Sequence, residues 1–376
     1  MLEHDVSRPP RGRAAISVPY DTVRVGIALI ESYRFASEAT ELGLAGLAAC
    51  AQRIEALGFD AILASETAGH DPFFPLLIAA EHTQRVRLET GVAIAFPRAP
   101  MVVAQMAWDL QRFSNGRFAL GLGTQVKGHS ERRYGVPWIG APGPRLREYV
   151  ACLRAIFETF QHPEAPRWYE GQHYRFALLP PVFRPEPISA PHVPIHIAAL
   201  NPYMSRLAGE ACDGVFAHPV CTPQYVREVV LPAVAEGAHA AGRSLEDIEI
   251  IHAPIVVTGR TDAELDAAKR VHRRRVAFYA STRTYHPVFE LHGWKELGER
   301  LHALSLDGRW DEMTALVSDE MAAQFATIAP LAELGDALRQ AWGGLLGTLH
   351  LPTDLPLATD EDRRQVRRVV ETLQRA

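Results

Sequence analysis

Eight times along this chain a short apolar run is followed by a longer amphipathic stretch, and that alternation constrains the fold more than any other feature. The runs at 23–30, 61–64, 88–95, 118–123, 195–199 and 214–217 are short and mostly apolar, as strands covered on both faces must be. The stretches after them, at 42–57, 72–82, 101–113, 145–160, to 211 and to 241, have helical spacing. A seventh strand is expected within 248–258, its helix opening on a capping box from Thr261 to Glu264. An eighth strand is expected at 345–351, with a last helix from Thr359. Strands alternating with helices make a parallel sheet, and eight such units predict a closed (β/α)8 TIM barrel. The surplus chain falls in three places: insertions after strands four (124–144) and seven (helical, 287–324), and a hairpin after helix four (168–183).

A barrel accommodates 376 residues as one domain, here 21–376, preceded by a mobile N-terminal extension, 1–20. The extension carries Arg8, Arg11 and Arg13 among prolines but no apolar stretch of a signal peptide. A net charge of -5 provides no broad basic field, which argues against a nucleic-acid partner. No run of 18 apolar residues predicts a membrane span. The 4 cysteines are scattered, without a CxxC pair, as in thiols of a reducing compartment, and the cytoplasm is the expected location.

Several barrel chemistries lack their residues. There is no HExxH, and Pro194 stands between His192 and His196, so no metal site is expected. None of the lysines, Lys127, Lys269 and Lys295, sits on a strand where it would trap a carbonyl. Strand four runs out into Thr124-Gln125 rather than a carboxylate, against a glycosidase acid pair there. Three joints, Asp71-Pro72, Asn201-Pro202 and Thr222-Pro223, set a capping side chain before a proline suited to the first helical turn. They aim helix N-termini at the C-terminal barrel face, where barrel enzymes keep their active sites.

The densest motif is Asp109, then Ser114-Asn115-Gly116-Arg117, then Gly121-Leu122-Gly123. Asn115-Gly116 suits a left-handed helix end, and a dinucleotide fingerprint fails because Val126 stands where its last glycine is needed. The motif resembles the helix-three-to-strand-four signature of the luciferase-like family, whose barrels bind coenzyme F420 or FMN. Leu57-Gly58-Phe59-Asp60 leading to Ser65-Glu66, Gly91-Val92 with 97–105, and 198–214 extend the resemblance over roughly 23–351. A narrower likeness, to uncharacterised actinobacterial proteins grouped with F420 enzymes, rests on Ser65-Glu66-Thr67 with Asp71-Pro72-Phe73, Gln125-Val126-Lys127 and Ala280-Ser281-Thr282.

The resemblance implies a site. Strand four would line the cofactor pocket with Gly121 and Gly123, followed by Gln125 and Lys127; a bulge with a non-prolyl cis peptide at Gly91-Val92, extended by Ala93, would back the ring system. The helix start after strand five, Ala199, Asn201, Tyr203, Met204 and Ser205, would seat the cofactor phosphate through backbone and Ser205, the family's frequent Gly-Pro-Lys or Gly-Pro-Arg being absent. Glu66 would supply the acid beside the ring. Thr67 replaces the histidine common after it, which leaves His70, His129 and His218 as candidates for proton transfer. The activity implied is F420-dependent hydride transfer to or from a small organic substrate, with an FMN-dependent monooxygenase or a non-catalytic flavin-binding barrel as alternatives. The basic cluster Lys127, His129, Arg132 and Arg133 suits the acidic tail of F420, and Tyr134 and Trp138 suit a lid. The family's habit of pairing barrels, with the apolar helices 72–82 and 101–113, predicts a homodimer.

Overall fold

A computed structural model describes residues 20, 22–28, 44–66, 70–352 and 355–375. The N-terminal extension up to residue 19, residues 29–30 of the expected first strand, 42–43 of the first helix, and Thr67 lie outside the described residues.

Eight parallel strands close on themselves: β1 (Arg24–Ala28), β2 (Ala61–Ala64), β3 (Arg87–Thr90), β4 (Phe118–Gly123), β5 (Ile195–Ala199), β6 (Gly214–Ala217), β7 (Glu249–His252) and β8 (Thr348–Leu351). Each pairs with its sequence neighbours, and β8 pairs with β1 to complete the ring. After Thr90 the third strand is interrupted at a cis Gly91–Val92 peptide and resumes at Ala93–Ile94, still paired with β4. Outside the strands lie α1 (Leu44–Ala56), α2 (Phe73–His82), α3 (Pro100–Phe113), α4 (Pro142–Gln161), α5 (Pro202–Ala211) and α6 (Leu231–Ala240). The outer layer is completed by α8 (Leu334–Trp342) and α9 (Asp360–Gln374).

Alternation along each strand sorts the side chains into two sets. Phe118, Leu120 and Leu122 of β4 face the helices, as do Ile195 and Ile197 of β5, Val215 of β6 and Leu349 of β8, and these join the main core. The residues between them face the lumen. Its lower part is charged: Arg87 bridges Glu89 (2.6 Å) and Glu249 (2.7 Å), and His350 holds the other oxygen of Glu89 (3.0 Å). Burial raises the Glu89 carboxyl, but Arg87 and His350 outweigh it and hold the group far below the ordinary range. Above this network Leu63, Phe216 and Ile251 form a separate apolar cluster, with Val92 and Ala198 against it.

The end of α3 follows its sequence closely. Asn115 and Gly116 take φ of 55° and 84°, and the Gly116 N–H returns to the Gln111 carbonyl at 2.8 Å. The seventh unit departs from expectation. The helix at Thr261, α7 (Asp262–Ser281), packs on the insertion helices Lys295–Leu306, Trp310–Ala315 and Asp319–Gln324, so the insertion begins at Asp262 rather than 287. The helix returning from β7 to the barrel wall is α8, packed against α9. The capping box there is half formed: Thr261 caps the Glu264 N–H, while the Glu264 carboxylate takes the Arg260 N–H. The expected hairpin is present as Tyr169–Glu170 paired antiparallel with Arg175–Phe176. Among the described residues no helix is long and apolar enough to cross a membrane.

Candidate active site at the C-terminal mouth of the barrel

The loops after β2, β3 and β4 meet on Glu66. Its carboxylate is buried, and both oxygens are engaged: Oε2 accepts the Ile94 N–H (2.7 Å) and Arg98 Nη1 (2.8 Å), and Oε1 accepts the Tyr134 hydroxyl (2.9 Å). Arg98 also donates to Asp71 Oδ2 (2.9 Å) and to the Ile94 carbonyl (3.0 Å), while Asp71 Oδ1 caps the Phe73 N–H at the start of α2 (2.9 Å). Glu66 therefore fixes the segment just past the cis peptide and ties it to the loop after β4. Arg98 escaped the sequence reading; its only signal there is a lone charge in the run Phe96-Pro97-Arg98-Ala99-Pro100.

The glycines of β4 differ in role. A side chain on Gly121 would drive into the Thr90 carbonyl and lie 2.8 Å from Phe216, so this glycine lets β3 and β4 pack closely rather than opening space for a ring. Thr90 Oγ1 closes the same junction, bonding both the N–H and the carbonyl of Gly121 at 2.8 Å. Gly123 makes room for the Val92 side chain: an added Cβ would sit 2.6 Å from Val92 Cγ2 and 3.9 Å from the Ala198 Cβ. Gly91 clears the side chain of Leu63, and Ala93 is turned into the core. The floor of the mouth is thus Leu63, Val92, Ala198, Phe216 and Ile251. Leu63, Phe216 and Ile251 are further residues the sequence reading passed over, although the period-two alternation of their strands marks them as lumen-facing.

At the start of α5 the Asn201 side chain accepts the Met204 N–H (2.9 Å) and its carbonyl accepts the Ser205 N–H (3.1 Å). Ser205 is wholly buried with its hydroxyl on the same carbonyl (3.2 Å), which corrects the expected phosphate contact: the hydroxyl is turned into the helix. Met204 is buried in the core and Ala199 faces it, whereas Tyr203 is partly exposed and lies against Gly143, whose missing side chain makes room for the ring.

His218, just past β6, lies over Tyr285 (4.5 Å between ring centres) and edge-on to Tyr279 (5.8 Å), both from the insertion. Burial pushes its pKa down to about 4, so the ring is neutral at pH 7, and because Nδ1 accepts the Val220 N–H (3.2 Å) the proton resides on Nε2. Of the other two candidate histidines, His70 is exposed on the loop after β2, and His129 lies exposed with Lys127 on a short helix, Lys127–Arg132. Gln125, at φ 60°, turns the chain from β4 into that helix and accepts the Val126 N–H with its own side chain (3.1 Å).

Glu66 and His218 belong to one rim. The Glu66 N–H reaches the Val92 carbonyl (3.4 Å), Val92 lies beside Gly123, Gly123 beside Ala198, and the His218 N–H bonds the Ala199 carbonyl (3.1 Å). A flat heteroaromatic ring suits such a floor: among the described residues it is apolar, with Glu66 and His218 as polar groups at its edge.

The chain is similar in sequence and in fold to known proteins. An uncharacterised protein of Mycobacterium tuberculosis is 43% identical over 303 residues, covering 81% of this chain and 88% of that one. A putative coenzyme F420-dependent oxidoreductase of the same organism is 31% identical over 286 residues, 71% of this chain and 79% of that protein. The coenzyme F420 dependent tetrahydromethanopterin reductase of Methanopyrus kandleri superposes with a TM-score of 0.73 over 96% of this chain and 100% of that chain, at 19% identity. The profile of the luciferase-like monooxygenase family matches residues 24–347, and the chain belongs to that family.

Proposed function

We propose that this protein is an F420-dependent oxidoreductase that moves a hydride between the deazaflavin and a small organic substrate at the barrel mouth. The observation carrying this reading is the apolar floor of Leu63, Val92, Ala198, Phe216 and Ile251, set beside the buried Glu66 cluster. It is supported by similarity to a putative F420-dependent oxidoreductase. Bound there, the cofactor supplies hydride donation or acceptance at ring carbon C5.

The chain's own groups do the rest. The floor orients the ring and excludes water from one face. Glu66, held by Arg98, Ile94 and Tyr134, keeps the segment after the cis peptide in one position, and Gly123 leaves room for the Val92 side chain that would back the ring. His218 offers Nε2–H as a hydrogen-bond donor to a substrate oxygen; as a neutral imidazole it does not deliver a proton as a cationic acid. Lys127 and Arg132 stand exposed on the helix after β4 and Arg133 just past its end, where an acidic cofactor tail would meet them.

Fluorescence titration with F420 and with FMN across a salt series tests the assignment. F420 should bind more tightly and weaken with salt, and Lys127→Ala with Arg132→Ala should remove that salt dependence. Equal or tighter, salt-independent FMN binding would replace this reading with the flavin monooxygenase, and bound cofactor without turnover would leave a binding protein.

A further inference from the structure

The segment between β4 and α4 is built as a strap. It starts at Gln125 (φ 60°) and turns at Gly135 (φ 68°) and Gly140 (φ 64°), left-handed conformations that break regular structure at both ends. Within it the short helix and its exit are self-contained: the His129 and Ser130 N–H groups return to the Val126 carbonyl, those of Arg133 and Tyr134 to His129, and Ser130 Oγ and the Val136 N–H close the turn between 130 and 136. The helix is mostly exposed, Ser130 being its buried residue.

Two side chains tie this unit to the rest of the rim. Tyr134 donates its hydroxyl to Glu66 Oε1 at 2.9 Å, and Trp138 rests edge-on against Phe96 with ring centres 6.3 Å apart. Both anchors end on the stretch linked through Glu66, Ile94 and Arg98, and Arg145 covers the Phe96 ring at 4.2 Å.

We propose that residues 125–140 form a lid over the mouth, latched shut by Tyr134 on Glu66 and Trp138 on Phe96, and that opening of this latch sets the rate at which the cofactor enters and leaves. The role assigned to the lid rests on the function proposed above; the latch itself does not. The Tyr134 phenol is pushed up to about 12 by burial and by the Glu66 carboxylate, so it keeps its proton and the latch is unaffected across the neutral range. The lid carries Lys127, His129, Arg132 and Arg133, so an anionic ligand at the mouth also draws it closed.

Amide hydrogen exchange on the full chain without cofactor tests the latch. A hydrogen bond to a charged acceptor holds a segment by an amount that corresponds to about tenfold in its opening equilibrium. Tyr134→Phe should therefore speed exchange at 129–136 about tenfold and leave the barrel strands unchanged; Trp138→Leu should act on the same amides. Exchange at 129–136 within twofold of the parent in both variants overturns the proposal. So does acceleration spread equally over the strands, which would make Tyr134 an ordinary support of the fold. Stopped-flow release of F420 supplies the second reading: faster release in the variants supports the lid, while faster exchange with unchanged release keeps the latch and refutes its control of the cofactor.

Discussion

Replacing Glu66 by glutamine isolates the charge of the clamp from its shape. The amide can keep an oxygen toward Ile94 and Arg98 and turn its nitrogen toward Tyr134, whose hydroxyl rotates to accept, so the packing survives. What changes is that the bonds from Ile94 and Tyr134, each contributing about 1.5–3 kcal/mol to a carboxylate, become neutral ones of about 0.5–1.5, while the Arg98 bond keeps its charged donor and loses the opposite charge. Arg98 retains Asp71 as a counter-charge, which limits the loss to about 2–3 kcal/mol. An unfolding entropy of about 2.1 cal/mol/K per residue over 376 residues gives about 0.8 kcal/mol/K, so Tm should fall by about 3 °C. Glu66→Ala, which leaves Arg98 and Tyr134 without the acceptor, should cost about 3–5 kcal/mol and lower Tm further. Scanning calorimetry of the two variants beside the parent decides. Equal Tm in all three would refute the clamp, and a larger loss for glutamine than for alanine would refute the hydrogen-bond reasoning behind the ranking.

Gly121→Ala pushes a methyl into the Thr90 carbonyl and should destabilise by about 1–3 kcal/mol, read as a lower urea midpoint; an unchanged midpoint would mean that β3 and β4 are not packed as described. His196 and His252 are buried and pushed down to about 4, so below pH 6.5 the unfolded chain takes up protons that the folded one does not. Stability should then fall between pH 6.5 and 4, at up to about 2.7 kcal/mol per pH unit for the pair, and a flat urea midpoint from pH 7 to 5 would contradict this. Burial raises the Asp213 carboxyl, but His192, Arg154 and the Ile195 N–H together hold it below its ordinary range. The deficit of Asp213→Asn in urea midpoint should be full at pH 7 and begin to shrink only below about pH 4, as pH falls toward the depressed value. Phe74, Leu77, Val102 and Phe113 stand exposed on α2 and α3, so light scattering should give a dimer and Phe74→Glu a monomer; a parent that is already monomeric at micromolar concentration would end that proposal.

The strands were legible wherever burial on both faces writes a continuous apolar run. β2, β4, β5 and β6 begin and end where the runs at 61–64, 118–123, 195–199 and 214–217 do. The seventh unit was not legible, because a capping signal fixes where a helix starts and carries no information on what it packs against. Thr261 does start a helix, but Ala253-Pro254 ends β7 after four residues, and Val256–Val257 then pairs with Thr327–Ile328 away from the barrel. The chain has already left the barrel wall by the time α7 begins.

The site divides along the same line. Glu66 could be found as an acid at the end of a strand, and Gly91-Val92 through the motif around it, because both are local features. What Glu66 does depends on Ile94, Arg98 and Tyr134, which are 28, 32 and 68 residues away, and three of the loops that form the mouth must fold before those contacts exist. Ser205 shows the same limit in the opposite sense: a hydroxyl in the first turn of α5 looks available to a phosphate, yet the nearest acceptor is the Asn201 carbonyl four residues back, and the helix takes it. A hydroxyl whose proton is already given to its own backbone has none left for an anion, so under the proposed function a phosphate at this corner would be met by Tyr203 or by backbone N–H groups rather than by the Ser205 hydroxyl.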